Sequence, residues 1–152
     1  MRPSWDDYFA SITELVSTRS TCIRVSHGAV IVRNKHLIST GYNGSPPGTY
    51  HCLEARVCWR QENNIPSGTQ YEKCRAVHAE QNALLQAAKL GLAVQDATMY
   101  VTDIPCEICA KMIQSAGIKR LVITRANLRY DPKSLADFLL YGGEVTYLGK
   151  ET

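Results

Sequence analysis

The chain has 152 residues, 45% hydrophobic and 20% charged, with a net charge of +3. Such a length suits one domain built on one core, and such a composition excludes a disordered or fibrous chain. The charge is too mild and dispersed to argue for nucleic acid, no apolar run reaches the length of a membrane span, and the acidic, aromatic start "MRPSWDDYFA" does not read as an export signal.

In "SWDDYFASITELVSTRS", Ser4 reads as a helix cap with Asp6 and Asp7 in the first turn. Trp5, Phe9, Ile12 and Val16 share one helical face. "GAVIVRN" and "HLISTGYNG" predict two strands, rich in β-branched residues and joined by a tight "NK" turn. "GSPPGT" is a loop. Residues 49–75 show no clean period, with some helix expected around 53–63. An irregular stretch of that length in a compact domain is functional or tied down. "AVHAEQNALLQAAKLG" predicts a helix closed by Gly91, "TMYVT" a strand, and "PCEICAKMIQSAG" a helix opened by Pro105 and closed by Gly117. "KRLVIT" reads as a strand, "DPKSLADFLLYGG" as a last helix capped by Asp131, and "EVTYL" as a final strand. Strands alternating with helices imply a layered α/β domain over residues 1–152, interrupted by a cysteine-bearing insert at about 49–75.

Six cysteines stand at positions 22, 52, 58, 74, 106 and 109. Without an export signal, a reducing, cytoplasmic setting is expected, where clustered cysteines more often hold metal than pair as disulfides. Two helix starts carry the strongest chemistry. "VHAEQNA" supplies His78 and Glu80, and "IPCEICA" supplies Cys106 and Cys109. Cysteines three apart share a helix face, and the first turn favours thiolate. One imidazole and two thiolates make a three-ligand zinc site with a fourth position for water. Glu80 is placed to act on that water without being a ligand. H-x-E followed by P-C-x-x-C is the signature of zinc nucleobase deaminases, with the glutamate as general acid and base. Taken alone, such a histidine is more often structural, and a C-x-x-C serves redox or structural zinc as readily as catalysis. The two motifs in this order are far more specific.

The segments "STCIR", "GAVIV", "GYNGSPPG", "VHAEQNALLQAAKLG" and "MYVTDIPCEICAKMIQSAGIKRLV" resemble the deoxycytidylate (dCMP) deaminase family over most of the chain, from about Ser4 to Ile123. The discriminating part is "GYNG" followed by the long cysteine-bearing insert before "HAE". The resemblance implies a three-layer α/β/α cytidine deaminase-like fold with a mixed sheet of about five strands. It implies hydrolysis of dCMP to dUMP and ammonia, feeding thymidylate synthesis. It also implies a homo-hexamer activated by dCTP and inhibited by dTTP, with magnesium accompanying the triphosphate.

Other residues have two open readings each. Asn43 of "GYNG" is either a nucleotide contact, at a substrate or effector site, or a turn residue. Arg24 is either a phosphate ligand or a solvated arginine. Lys89 is either a subunit-boundary residue, as the resemblance implies, or a solvated helix end. His27 and Asp103 depart from the family pattern, which commonly has a small apolar residue and a histidine there. Cys22, Cys52, Cys58 and Cys74 are the full thiolate set for a second, structural zinc that would staple the insert, with His51 as a substitute ligand. A second zinc in this region is also a family feature, and the competing reading is buried free cysteines. The alternative functions are a deaminase of another cytosine nucleotide or nucleoside, and a catalytically silent zinc-stabilised binding module.

Overall fold

A computed structural model describes residues 1–125 and 130–149. Helix α1 (Trp5–Ser17) leads to the hairpin of β1 (Gly28–Arg33) and β2 (His36–Tyr42). Two single-turn helices, α2 (Cys52–Ala55) and α3 (Trp59–Glu62), and a 3-10 turn (Tyr71–Lys73) occupy the insert. Helix α4 (Ala79–Lys89), β3 (Thr98–Val101), α5 (Glu107–Ser115), β4 (Arg120–Ile123), α6 (Ala136–Leu140) and β5 (Glu144–Tyr147) complete the chain.

The five strands form one mixed sheet in the order β2-β1-β3-β4-β5. β1 pairs antiparallel with β2 and β3, whereas β3, β4 and β5 run parallel. The hairpin turn uses Asn34 and Lys35, both at positive φ (51° and 62°), the twist that joins two strands through two residues. Ala29, Ile31, Met99, Val101, Leu121 and Ile123 fall on one face of the sheet. There they pack against Ala79 and Ala83 of α4, Ala110 and Ile113 of α5, and Phe138 of α6. Val30, Val32, Tyr100 and Val122 fall on the other face, with Phe9 of α1. Both faces are covered, so the central strands read as unbroken apolar runs. The result is the expected three-layer arrangement.

Ser4 caps α1 by accepting from the Asp7 N–H. Asp6 then reaches across the sheet. Its carboxylate accepts two bonds from Arg120, at 2.9 and 2.7 Å, and one from the Tyr100 hydroxyl at 2.7 Å. Arg120 chiefly, with Tyr100, holds the Asp6 carboxyl below its usual range against the opposing effect of burial. Glu14 is likewise forked onto Arg125.

The structure adds detail to three expectations. Trp5 shares the Phe9 face, its ring stacked on the Phe9 ring at 5.8 Å, and is 43% exposed. The helical stretch around 53–63 is two separate turns, because Arg56 adopts a left-handed conformation that ends the first. The last helix begins as a 3-10 turn over Pro132–Leu135, capped by Asp131. Ser134 there donates to the carbonyl of Pro105 at 2.6 Å, which ties the segment to the start of α5.

Candidate active site

His78 and Cys106 are the cap residues of α4 and α5, each with extended backbone (φ −67°, ψ 155° and φ −66°, ψ 167°). Cys109 lies in the first turn of α5. His78 Nδ1 is 3.6 Å from Cys106 Sγ and 3.4 Å from Cys109 Sγ, and the three donors lie within 4.8 Å of one another. A tetrahedral zinc, with Zn–S near 2.3 Å and Zn–N near 2.0–2.1 Å, requires N···S separations of about 3.6 Å. The donor set and its spacing therefore fit zinc, with a fourth position left for water.

Local structure brings these residues together. Gly41 on β2 lets α4 lie against the strand: a Cβ there would sit 2.2 Å from the Ala79 carbonyl oxygen and 2.3 Å from the Ala83 nitrogen. Gly44 and Val77 exchange backbone hydrogen bonds of 3.1 and 2.8 Å, which fastens the "GYNG" loop to the chain entering α4. The His78 N–H donates to Gln81 Oε1 at 3.0 Å, closing the helix start from inside.

The electrostatics suit a metal. Without one, the Cys106 thiol is pulled down to about 4, chiefly by the Cys109 thiol and then by His78, with burial opposing. Cys109 is pushed up by Cys106 and by burial. A bound cation would favour the thiolate form of both cysteines. Burial raises the Glu80 carboxyl, His78 opposing. Cys106 raises His78, again against burial. Glu80 lines the recess with His78 and Cys106, so the candidate acid–base group adjoins the metal ligands.

These residues open into a recess with an empty volume of about 870 Å³, its mouth included. Glu80, Arg24, His27, Asn43 and Asp103 all line it. Asn43 is 6% exposed, and its amide is largely committed. Oδ1 accepts from the His27 N–H at 2.8 Å and Nδ2 donates to the Val25 carbonyl at 3.0 Å, leaving one donor and one acceptor position. The Arg24 N–H donates to Cys22 Sγ at 3.4 Å. His27 Nδ1 lies 3.2 Å from Thr102 Oγ1, and Asp103 accepts from the Ile104 N–H at 2.7 Å. Lys89 is exposed at the far end of α4 and is absent from the lining.

Cys22, Cys52, Cys58 and Cys74 border the same recess. Burial chiefly, and then the other three thiols, raise the Cys52 pKa. No three of the four sulfurs share the 4.8 Å spacing of the first set. His51 Nε2 is 2.9 Å from Glu54 Oε1, and its Nδ1 is buried without a partner.

Arg60, Tyr71 and Tyr130 also line the recess, although nothing in the sequence singled them out. Tyr71 meets the His78 ring edge-on at 5.0 Å, and the Arg60 guanidinium lies over the Tyr71 ring at 5.6 Å. The available signal was an arginine and a tyrosine inside an aperiodic, cysteine-bearing segment.

Comparison with known proteins agrees with this geometry. The family model for the cytidine and deoxycytidylate deaminase zinc-binding region matches residues 3–125. ComE operon protein 2 of Bacillus subtilis is 43% identical over 118 residues, 78% of this chain and 58% of that protein. The deoxycytidylate deaminase of Schizosaccharomyces pombe is 39% identical over 121 residues, 80% of this chain and 37% of that protein. The chain thus spans well under two thirds of these two relatives. The deoxycytidylate deaminase of Mycobacterium phage D29 is 40% identical over 126 residues, covering 80% of this chain and 94% of the phage protein. The crystal structure of dCMP deaminase from the cyanophage S-TIM5 in complex with dCMP and dUMP superposes with a TM-score of 0.78 at 29% identity, covering 97% of this chain and 98% of that one. With the family model spanning both zinc-ligand motifs, the chain belongs to the cytidine and deoxycytidylate deaminase zinc-binding family.

Proposed function

We propose that this protein hydrolyses dCMP to dUMP and ammonia, within the pyrimidine nucleotide supply to thymidylate synthesis. The observation that carries the reading is the His78, Cys106 and Cys109 donor set at tetrahedral zinc spacing with Glu80 beside it, in a chain similar to dCMP deaminases of comparable length. Zinc, held by these three residues, would supply a water acidified towards neutrality. Glu80 would take a proton from that water as its oxygen bonds to C4, and deliver it to N3 of the pyrimidine. It would then take the remaining proton of the hydroxyl added at C4 and deliver it to the amine, so that the C4–N bond breaks, ammonia leaves and the C4 carbonyl forms, one carboxylate serving as base and then acid. The buried setting that raises Glu80 favours this proton-carrying role. Asn43 offers its remaining amide positions to the sugar, and Arg24 offers its guanidinium to the phosphate.

Family membership further supports a homo-hexamer in the cytoplasm, activated by dCTP with magnesium and inhibited by dTTP. It also supports a second, structural zinc on Cys22, Cys52, Cys58 and Cys74, with His51 as the substitute ligand. The unpartnered His51 Nδ1, its other nitrogen held by Glu54, suits a ligand oriented by a carboxylate. The test is ammonia release from dCMP, dCTP, deoxycytidine and transfer RNA, with and without dCTP and dTTP. Turnover of dCMP above the others supports the reading. An inert dCMP alongside another active substrate would replace it.

A further inference from the structure

Arg60 is a buried cation. Its residue is 8% exposed, and among the described residues no carboxylate pairs with it. Nη2 donates to the carbonyls of Pro66, at 3.0 Å, and Thr69. Nη1 and Nε lie outside these two bonds, and Nε is buried with no partner. Burying a cation without a carboxylate partner, and a donor without an acceptor, is costly. A chain that keeps such a group beside a recess has a use for an anion there.

The position of Arg60 narrows the anion. It lines the recess that holds Glu80 and the zinc ligands. One aromatic ring separates it from His78: the guanidinium is 5.6 Å from the Tyr71 centroid, and the Tyr71 ring is 5.0 Å from the His78 ring. In a pyrimidine nucleoside monophosphate, a single sugar separates the reacting base from the phosphate, a comparable reach. The two carbonyl bonds fix the guanidinium plane in advance, so little rotamer freedom is lost on binding. The loop it holds, with Ser67 and Gly68, forms part of the same wall.

We propose that Arg60 joins Arg24 on the 5′-phosphate, as the buried member of the pair, and sets the preference of this recess for the 5′-monophosphate over the free nucleoside. This deepens, and rests on, the reading of the recess as a nucleotide-deaminating site. With both Nη2 hydrogens held by the loop carbonyls, Nη1 is the group left for the phosphate, and a charge-assisted bond of this kind is worth about a ten- to hundredfold in affinity.

The test is equilibrium binding of dUMP and of deoxyuridine to the zinc-loaded protein, as wild type, Arg60→Gln and Arg60→Lys. Zinc content and thermal unfolding establish that each variant is folded. The expected result is dUMP binding weakened at least tenfold in Arg60→Gln, with deoxyuridine binding within twofold of wild type. If Arg60→Gln does not fold, Arg60→Lys carries the test, because its ammonium keeps the charge but lacks the separate nitrogens that bond the loop and the phosphate together; dUMP binding should weaken at least fivefold. Unchanged dUMP affinity would overturn the proposal. So would equal weakening of both ligands, which would make Arg60 only a support for its loop or a counter-charge to the neighbouring thiols. Turnover separates the two readings. If wild type leaves dCMP unreacted but Arg60→Gln still abolishes the advantage of dUMP, the activity is wrong and the anchor stands. If wild type deaminates dCMP and Arg60→Gln keeps that advantage, the anchor is wrong and the activity stands.

Discussion

Replacing Gly41 with alanine would test how the fold positions its reacting groups. The added methyl would lie 2.2 Å from the Ala79 oxygen, 2.3 Å from the Ala83 nitrogen and 2.9 Å from the Asn82 carbonyl carbon. All three are backbone atoms of α4, so no flexible side chain can swing aside. Restoring ordinary contact requires α4 to retreat from β2 by about 1 Å. Overpacking of this kind costs about 1–3 kcal/mol, and the rigid backbone places Gly41→Ala near the upper end. The entropic benefit of alanine over glycine offsets less than about 1 kcal/mol of that. Because α4 carries His78 and Glu80 at its start, the retreat also displaces one zinc ligand and the acid–base group. Metal sites tolerate about 0.2 Å, and a misplacement of 1 Å costs about a hundredfold in rate. Urea unfolding, zinc content and dCMP turnover should therefore all fall together. Gly48→Ala is the control. Gly48 has φ +80° but nothing within 4 Å, so alanine should cost about 1 kcal/mol of backbone strain and leave zinc and turnover alone. If Gly41→Ala is as stable as wild type and keeps its zinc, the close approach of α4 does not set the site.

Glu80→Gln should retain zinc and dUMP binding while its turnover falls about 10³-fold or more, measured as ammonia release at saturating dCMP. Stripping zinc with a chelator should abolish turnover and lower the unfolding temperature, and both should return with zinc but not with magnesium. The Asp6–Arg120 pair carries a pH dependence. The folded-state Asp6 carboxyl lies below its unfolded value, so its contribution is complete above about pH 5 and is lost as pH falls through the folded value. Asp6→Asn should thus cost about 1–2 kcal/mol at pH 7 and progressively less towards pH 3, read from urea midpoints; a constant gap would refute the linkage. Metal analysis should find two zinc ions per chain, falling to one in a Cys58→Ser, Cys74→Ser double variant. One ion in the wild type would remove the second site.

The catalytic half of the site was legible because its residues are local. His78 with Glu80, and Cys106 with Cys109, each sit at one helix start, where spacing and cap position can be read directly from the chain. The strands were legible because Ala29–Val32, Met99–Val101 and Leu121–Ile123 are buried on both faces and so appear as continuous apolar runs. The insert was not. Residues 49–75 follow no period, so nothing local indicated that Arg60 would be buried or that Tyr71 would meet His78 edge-on. Asn43 was legible as a residue of consequence, but the use of its amide depends on Val25 and His27, 18 and 16 residues away. Trp5 matched the period of its helix and stacks on Phe9 yet keeps 43% of its surface exposed, because periodicity gives the face of a helix and not how completely that face is covered.

Two of the zinc-site residues, His78 and Cys106, are helix caps separated by 28 positions, and the intervening chain contains β3, the middle strand of the sheet. A cation gripping both caps would close that stretch into a loop. If it bound the denatured chain, the closure would remove conformations and bring the first turns of α4 and α5 together ahead of strand pairing, so that the ion would act as a crosslink in folding before it served chemistry. Refolding begun in the presence of zinc should therefore be faster than refolding to which zinc is added late, even when both reach the same final state.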